Sequence, residues 1–134
     1  MDFQQLPSDL RGLMEKHGHL CIGVLLGYKA CKYAADIIGI SEKMEVTTVN
    51  GGCANDAVRY ILGCTPENGK LTINEGGNQS WAFYNEEEEE GVLLSVNPNL
   101  LSQLPADKDQ ATKAILEMSG NLLFIAEPFS KQAD

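Results

Sequence analysis

His17-Gly18-His19-Leu20-Cys21-Ile22-Gly23-Val24-Leu25-Leu26-Gly27-Tyr28 carries a polar segment into a long apolar run. The run continues to Ile38 and meets Gly39, which predicts a helix from about Leu20 to Ile38 with Gly39 as its C-cap glycine. Gly23, Gly27, Ala30 and Ala34 recur along it at helical steps, so one face of this helix has almost no side chain. Such a spine lets another backbone approach closely, and its ordinary use is packing against a neighbouring element or a partner subunit. The entrance to the helix is unusual in another way. His17 and His19 are the only histidines in 134 residues, and Cys21 stands beside them. A helix entrance favours a thiolate, because its free N–H groups and dipole stabilise negative charge.

Upstream, Ser8-Asp9-Leu10-Arg11 reads as a helix start with Ser8 as N-cap. That helix would carry Leu10, Leu13 and Met14 on one face and stop near Gly18. Downstream, the β-branched stretch Glu45–Val49 reads as a strand, followed by the turn Asn50-Gly51-Gly52. Cys53 then opens a shorter helix through Leu62, closed by Gly63. Lys70–Asn74 is a further strand, and Ser80–Tyr84 with Val92–Val96 reads as an antiparallel pair across an acidic turn. A helix capped by Asp107 should reach Met118, and Leu122–Ile125 should form a closing strand. This order predicts an α+β fold, a mainly antiparallel sheet packed against helices rather than regular βαβ. One compact domain is expected over residues 1–134, with the motifs within about 10–96 and a C-terminal helix and strand over 107–126.

Composition narrows the function. An apolar content of 43% supports a real core. No apolar run nears the roughly 20 residues of a membrane span. Met1–Pro7 lacks a basic region followed by an apolar one, so no signal peptide is expected. A net charge of -9 excludes nucleic acid and anionic membranes as partners. The cysteines are Cys21, Cys31, Cys53 and Cys64, with no CxxC pair and hence no zinc ribbon. Ten helical residues separate Cys21 from Cys31, about 15 Å, beyond the roughly 7 Å a disulfide spans. Cys53 and Cys64 are separated likewise by their helix. These features predict a cytoplasmic protein with free or metal-bound thiols.

Helical geometry puts His17 and Cys21 on one face at i,i+4, whereas an extended segment puts His17, His19 and Cys21 on the same side. Imidazole and thiolate together suit zinc, iron or copper. They equally suit a histidine-activated cysteine nucleophile. Cys53 also follows a flexible turn at a helix entrance, with Asp56 one turn on. Gly52, with Gly51, lets a cofactor approach the backbone. Tyr28 reaches the His/Cys site or packs. Cys31, deep in an apolar helix, and Cys64, at a helix C-terminus whose carbonyl dipole raises a thiol pKa, read as core. Trp81, Phe83 and Tyr84 read as core or interface. Glu86–Glu90 reads as a solvated turn rather than a divalent-ion site.

In order along the chain, His17-Gly18-His19-Leu20-Cys21, Gly23, Gly27-Tyr28-Lys29-Ala30, Cys53-Ala54-x-Asp56-Ala57, Gly63-Cys64-Thr65, Gly69, Leu71, Gly77 and Ala82-Phe83 follow a known pattern. The chain resembles the FmdE family, the E component of formylmethanofuran dehydrogenase, over about residues 10–96. The resemblance implies an α+β domain, often a homodimer, with a metal near the His and Cys residues. It also implies a link to anaerobic redox or one-carbon metabolism. Some members carry a C-terminal zinc-finger module, for which this chain lacks the cysteines. Ile22 replaces the family's usual proline, and Glu67-Asn68 stands where a basic residue is usual. Gly76-Gly77-Asn78 replaces a Tyr-Gly-Lys turn, and Val49-Asn50 stands where an acidic residue is common. The thiol/imidazole core is kept while its charged surround has changed, which points to a retained metal or cofactor site with altered or absent catalysis.

Three readings stand side by side. In the first, a dimeric domain holds zinc or iron, the latter free or as haem, through His17, His19, Cys21 and Cys53, with Asp56 contributing. In the second, Cys21 or Cys53 is a catalytic nucleophile, a histidine the base and Asp56 the orienting acid. In the third, the chain is a non-catalytic accessory subunit of a larger oxidoreductase, docking through the glycine-alanine spine and the aromatic strand.

Overall fold

The computed structural model describes residues 7–18, 21–50, 52–76 and 79–129. Helix α1, Ser8–His17, starts directly after Pro7, whose fixed φ of -54° suits a helix entrance. Ser8 is therefore the first helical residue and not the cap expected of it, and no side chain caps this helix. It ends at Gly18 with φ 102°, a left-handed conformation that Gly adopts without strain.

Helix α2, Ile22–Ile38, begins one residue past Cys21, which is extended and serves as N-cap. Its long apolar face, including Val24, Leu25, Cys31 and Ala34, is fully buried. Strand β1, Met44–Val49, helix α3, Ala54–Leu62, and strand β2, Leu71–Asn74, follow. The hairpin of β3, Ser80–Asn85, and β4, Glu90–Val96, is as expected, closed by an exposed acidic turn. Buried Asn85 organises that turn, accepting N–H bonds from Glu87 and Glu88 at 3.1 and 3.3 Å and donating to the Ile38 carbonyl at 3.1 Å.

The remaining elements are α4, Leu100–Gln103, α5, Lys108–Glu117, α6, Gly120–Leu123, and β5, Phe124–Pro128. Asp107 caps α5 as its sequence position suggests, accepting from the N–H groups of Asp109 and Gln110. The closing strand starts later than Leu122, because Leu122 and Leu123 belong to the short α6. Gly120 opens α6 against the Tyr33 ring, at a distance where no Cβ would fit.

The strand order is β2-β1-β3-β4-β5. Every pairing is antiparallel except β1 with β2, which run parallel and are joined through α3. The fold is thus α+β with a mainly antiparallel sheet, containing one βαβ crossover that strand spacing alone did not reveal. Along β1 and β3 alternate residues, Met44, Val46 and Thr48, and Trp81, Phe83 and Asn85, are buried. Trp81 meets Phe124 edge-on, with ring centroids 5.5 Å apart. Among the described residues no helix is long and apolar enough to cross a membrane.

The small-residue spine of α2 is a seat for α3. A Cβ on Gly27 would stand 2.7 Å from the Ala54 Cα, and one on Gly23 would stand 3.3 Å from the Cys53 Cβ. Only bare backbone on α2 lets the first turn of α3 come this close. That contact carries Cys53 to the entrance of α2, where Cys21 lies.

Candidate metal centre

Three helix ends meet at one point. The last residue of α1 is His17, the N-cap of α2 is Cys21, and the N-cap of α3 is Cys53. Gly18 turns the chain sharply after His17, so that α2 starts back against the end of α1. One ligand atom each from His17, Cys21 and Cys53 falls within 4.8 Å of the others. His19 lies outside the described residues.

Hydrogen bonds fix each group. His17 Nδ1 donates to Asp56 Oδ2 at 2.6 Å, which leaves Nε2 facing Cys21 Sγ at 3.7 Å. Asp56 thus reaches across to α1 and holds the imidazole, where its sequence position suggested convergence with Cys53. Cys21 Sγ accepts the Val24 N–H at 3.4 Å, one of the donors left free at the start of α2. Cys53 has helical backbone angles and makes no cap bond with its own helix, so its thiol is available to Cys21.

The electrostatics divide the two thiols. Burial pushes the Cys21 thiol up, but the Val24 N–H, the Cys53 thiol and His17 together outweigh it, and the net shift is downward. Cys53 is pushed up, first by its hydrogen bond to Cys21 and then by burial and nearby negative charge. His17 is raised, chiefly by its bond to Asp56, which favours the imidazolium. Cys21 is therefore the thiolate of the pair, and Cys53 the thiol that donates to it.

This donor set fits a borderline-soft divalent ion. In a tetrahedral zinc site with Zn–S of about 2.3 Å and Zn–N of about 2.0 Å, the N···S edge is about 3.5 Å. The His17–Cys21 separation of 3.7 Å is close to that edge. Metal-ligating histidines usually give their second ring N–H to a carboxylate, the position Asp56 holds here. The ligand atoms come from one nitrogen and two sulfurs, leaving a fourth tetrahedral position to water or substrate.

Gly52 is on the exposed turn before Cys53 with φ 53°. The Tyr28 hydroxyl donates to Asp9 Oδ1 at 2.9 Å, and Lys32 Nζ meets Asp9 Oδ2 at 2.8 Å, a tie between α1 and α2. Of the two available roles for Tyr28, this is packing. Cys31 and Cys64 are fully buried, and the thiol of each is pushed up. For Cys64 the leading cause is burial, not the helix terminus. All four cysteines are free.

A family model described as "FmdE, Molybdenum formylmethanofuran dehydrogenase operon" matches residues 16–125. Among solved structures, the chain is similar to an FmdE-like protein of tungsten formylmethanofuran dehydrogenase from Syntrophus aciditrophicus. That likeness has a TM-score of 0.71 at 22% identity and covers 92% of this chain and 71% of the other. At that identity it speaks to the fold. No curated protein matches the chain significantly.

Proposed function

The chain belongs to the FmdE family, and on that premise we propose that it is a metal-binding domain whose centre is built by His17, Cys21 and Cys53. The observation that carries this reading is the convergence of one imidazole and two thiols from three separate helix ends, with Asp56 behind the imidazole. The ion is zinc or iron. Convergence on a single point favours direct coordination over haem, which takes protein ligands only along its axis. The open fourth position suits a Lewis acid or a substrate-binding role better than a closed structural site. A cytoplasmic homodimer that serves a larger oxidoreductase agrees with the family's formylmethanofuran dehydrogenase context.

A second reading has its own support. Cys21 is a lowered-pKa thiol beside a carboxylate-held histidine, the arrangement that activates a nucleophilic cysteine. Elemental analysis and absorption spectra of anaerobically purified protein separate the two. Metal in the parent and its loss in Cys21→Ser and Cys53→Ser supports the metal centre. Absence of metal in the parent, with rapid alkylation of Cys21 at neutral pH, supports thiol chemistry instead.

A further inference from the structure

On the far side of Asp56 from the thiols lies a second feature. The end of α1 and the outer face of α3 enclose a cavity of about 410 Å³ lined by Lys16, Asp56, Arg59 and Tyr60. Its floor is built by a missing side chain. Tyr60 lays its phenol against Gly12 of α1, so closely that any Cβ there would collide with the ring and hydroxyl. Arg59 and Tyr60 follow Asp56 by three and four residues, so all three share one face of α3.

We propose that this cavity binds a small monocarboxylate. The chain carries only 10 Lys and Arg against 19 Asp and Glu, yet two of those cations line one small cavity. Arg59 offers a planar fork that matches a carboxylate, Lys16 a point charge, and Tyr60 a hydroxyl donor. Among the described residues, Lys16 has no ion pair and Arg59 pairs only with Glu67, at 3.6 Å. The Glu67 side chain is 74% exposed. An exposed pair of that kind is weak and is screened by salt, so a carboxylate ligand can displace it. Asp56 sets the charge of the ligand. Two cations beside one carboxylate leave a single positive charge, which matches a monoanion and repels the second charge of a phosphate dianion.

The subsite deepens the metal reading, since it would place a carboxylate substrate beside the carboxylate that holds His17. Binding itself requires no metal. The test is calorimetric titration of the full chain with acetate and with inorganic phosphate, before and after chelation. Saturable acetate binding, tighter than phosphate, is expected. Lys16→Gln combined with Arg59→Gln should weaken it about tenfold or more, while Glu67→Gln should strengthen it. These residues are surface-exposed, so the variants should keep the parent circular dichroism and metal content. Absent acetate binding, tighter phosphate binding, or binding unchanged in the double variant would overturn the subsite. Acetate binding in a chain that carries no metal would support the subsite and remove the metal reading alone.

Discussion

Replacing Asp56 with Asn tests whether the carboxylate behind His17 governs the metal. Asn can still accept the Nδ1 hydrogen bond, so the tautomer and ring orientation are kept while the charge is lost. Loss of such a partner lowers metal affinity by about 10–100-fold. Two features of the structure place this case within that range. The 2.6 Å bond argues for the strong end, but the Asp56 side chain is 46% exposed, and water weakens its field. The expected loss is therefore about tenfold, about 1.4 kcal/mol. The effect must also depend on pH. Asp56 raises the His17 pKa above its usual 6.5, and a proton on Nε2 excludes a metal. In the parent, affinity falls as pH drops through that raised pKa. In Asp56→Asn the fall moves to lower pH, so the variant's deficit narrows in acid. The metal-free chain shows the reverse sign. There the raised pKa makes the His17–Asp56 pair fully stabilising below pH 6.5, with that stability lost as pH rises through the raised value. The assay is competition against a chromogenic chelator across pH, with thermal melts of the metal-free proteins. Unchanged affinity, or a deficit that grows in acid, would show that Asp56 does not act on the metal through His17.

Gly27→Ala should move α3 off its seat, because the new methyl meets backbone atoms of Ala54 at 2.7 and 2.8 Å. Overpacking costs about 1–3 kcal/mol, partly offset by the better helix propensity of Ala, so melting should lower Tm by several degrees and metal should bind more weakly. An unchanged Tm would mean that α2 and α3 are not in close contact. In the metal-free chain, alkylation mapped by mass spectrometry should label Cys21 and Cys53 and spare the fully buried Cys31 and Cys64. Mild oxidation by a disulfide reagent should link Cys21 to Cys53, and bound metal should slow both reactions. Labelling of Cys31 at a comparable rate would contradict its burial.

What the sequence makes legible here is local. Helix α2, the stop at Gly39, the hairpin of β3 and β4 and the Asp107 cap each follow from residues within one turn or one strand of each other. The misplaced features are those for which local signals compete. Leu122 and Leu123 sit in an apolar run too short to separate helix from strand by period, and the contact of Gly120 with Tyr33 decides for the helix. Ser8 looks like a cap, but Pro7 already sets the entry angle of α1.

The centre itself lies between these cases. The spacing of His17 and Cys21 is legible as half a site, because four residues bring them to one side whatever the local conformation. The other half depends on α3 meeting α2, and the sequence sign of that meeting is the missing side chains at Gly23 and Gly27. Taken as packing alone, the spine has no link to chemistry. In the folded chain it sets how near Cys53 comes to Cys21, so packing and site are one constraint. The role of Asp56 leaves no such sign. It is 39 residues from His17, and helical spacing points it towards Cys53. Only the approach of α1 to α3 turns it to the imidazole, and the same approach, through Tyr60 against Gly12, forms the cavity on its far side. A change at Gly12 should therefore disturb both the metal ligand and the anion subsite, although Gly12 contributes a side chain to neither.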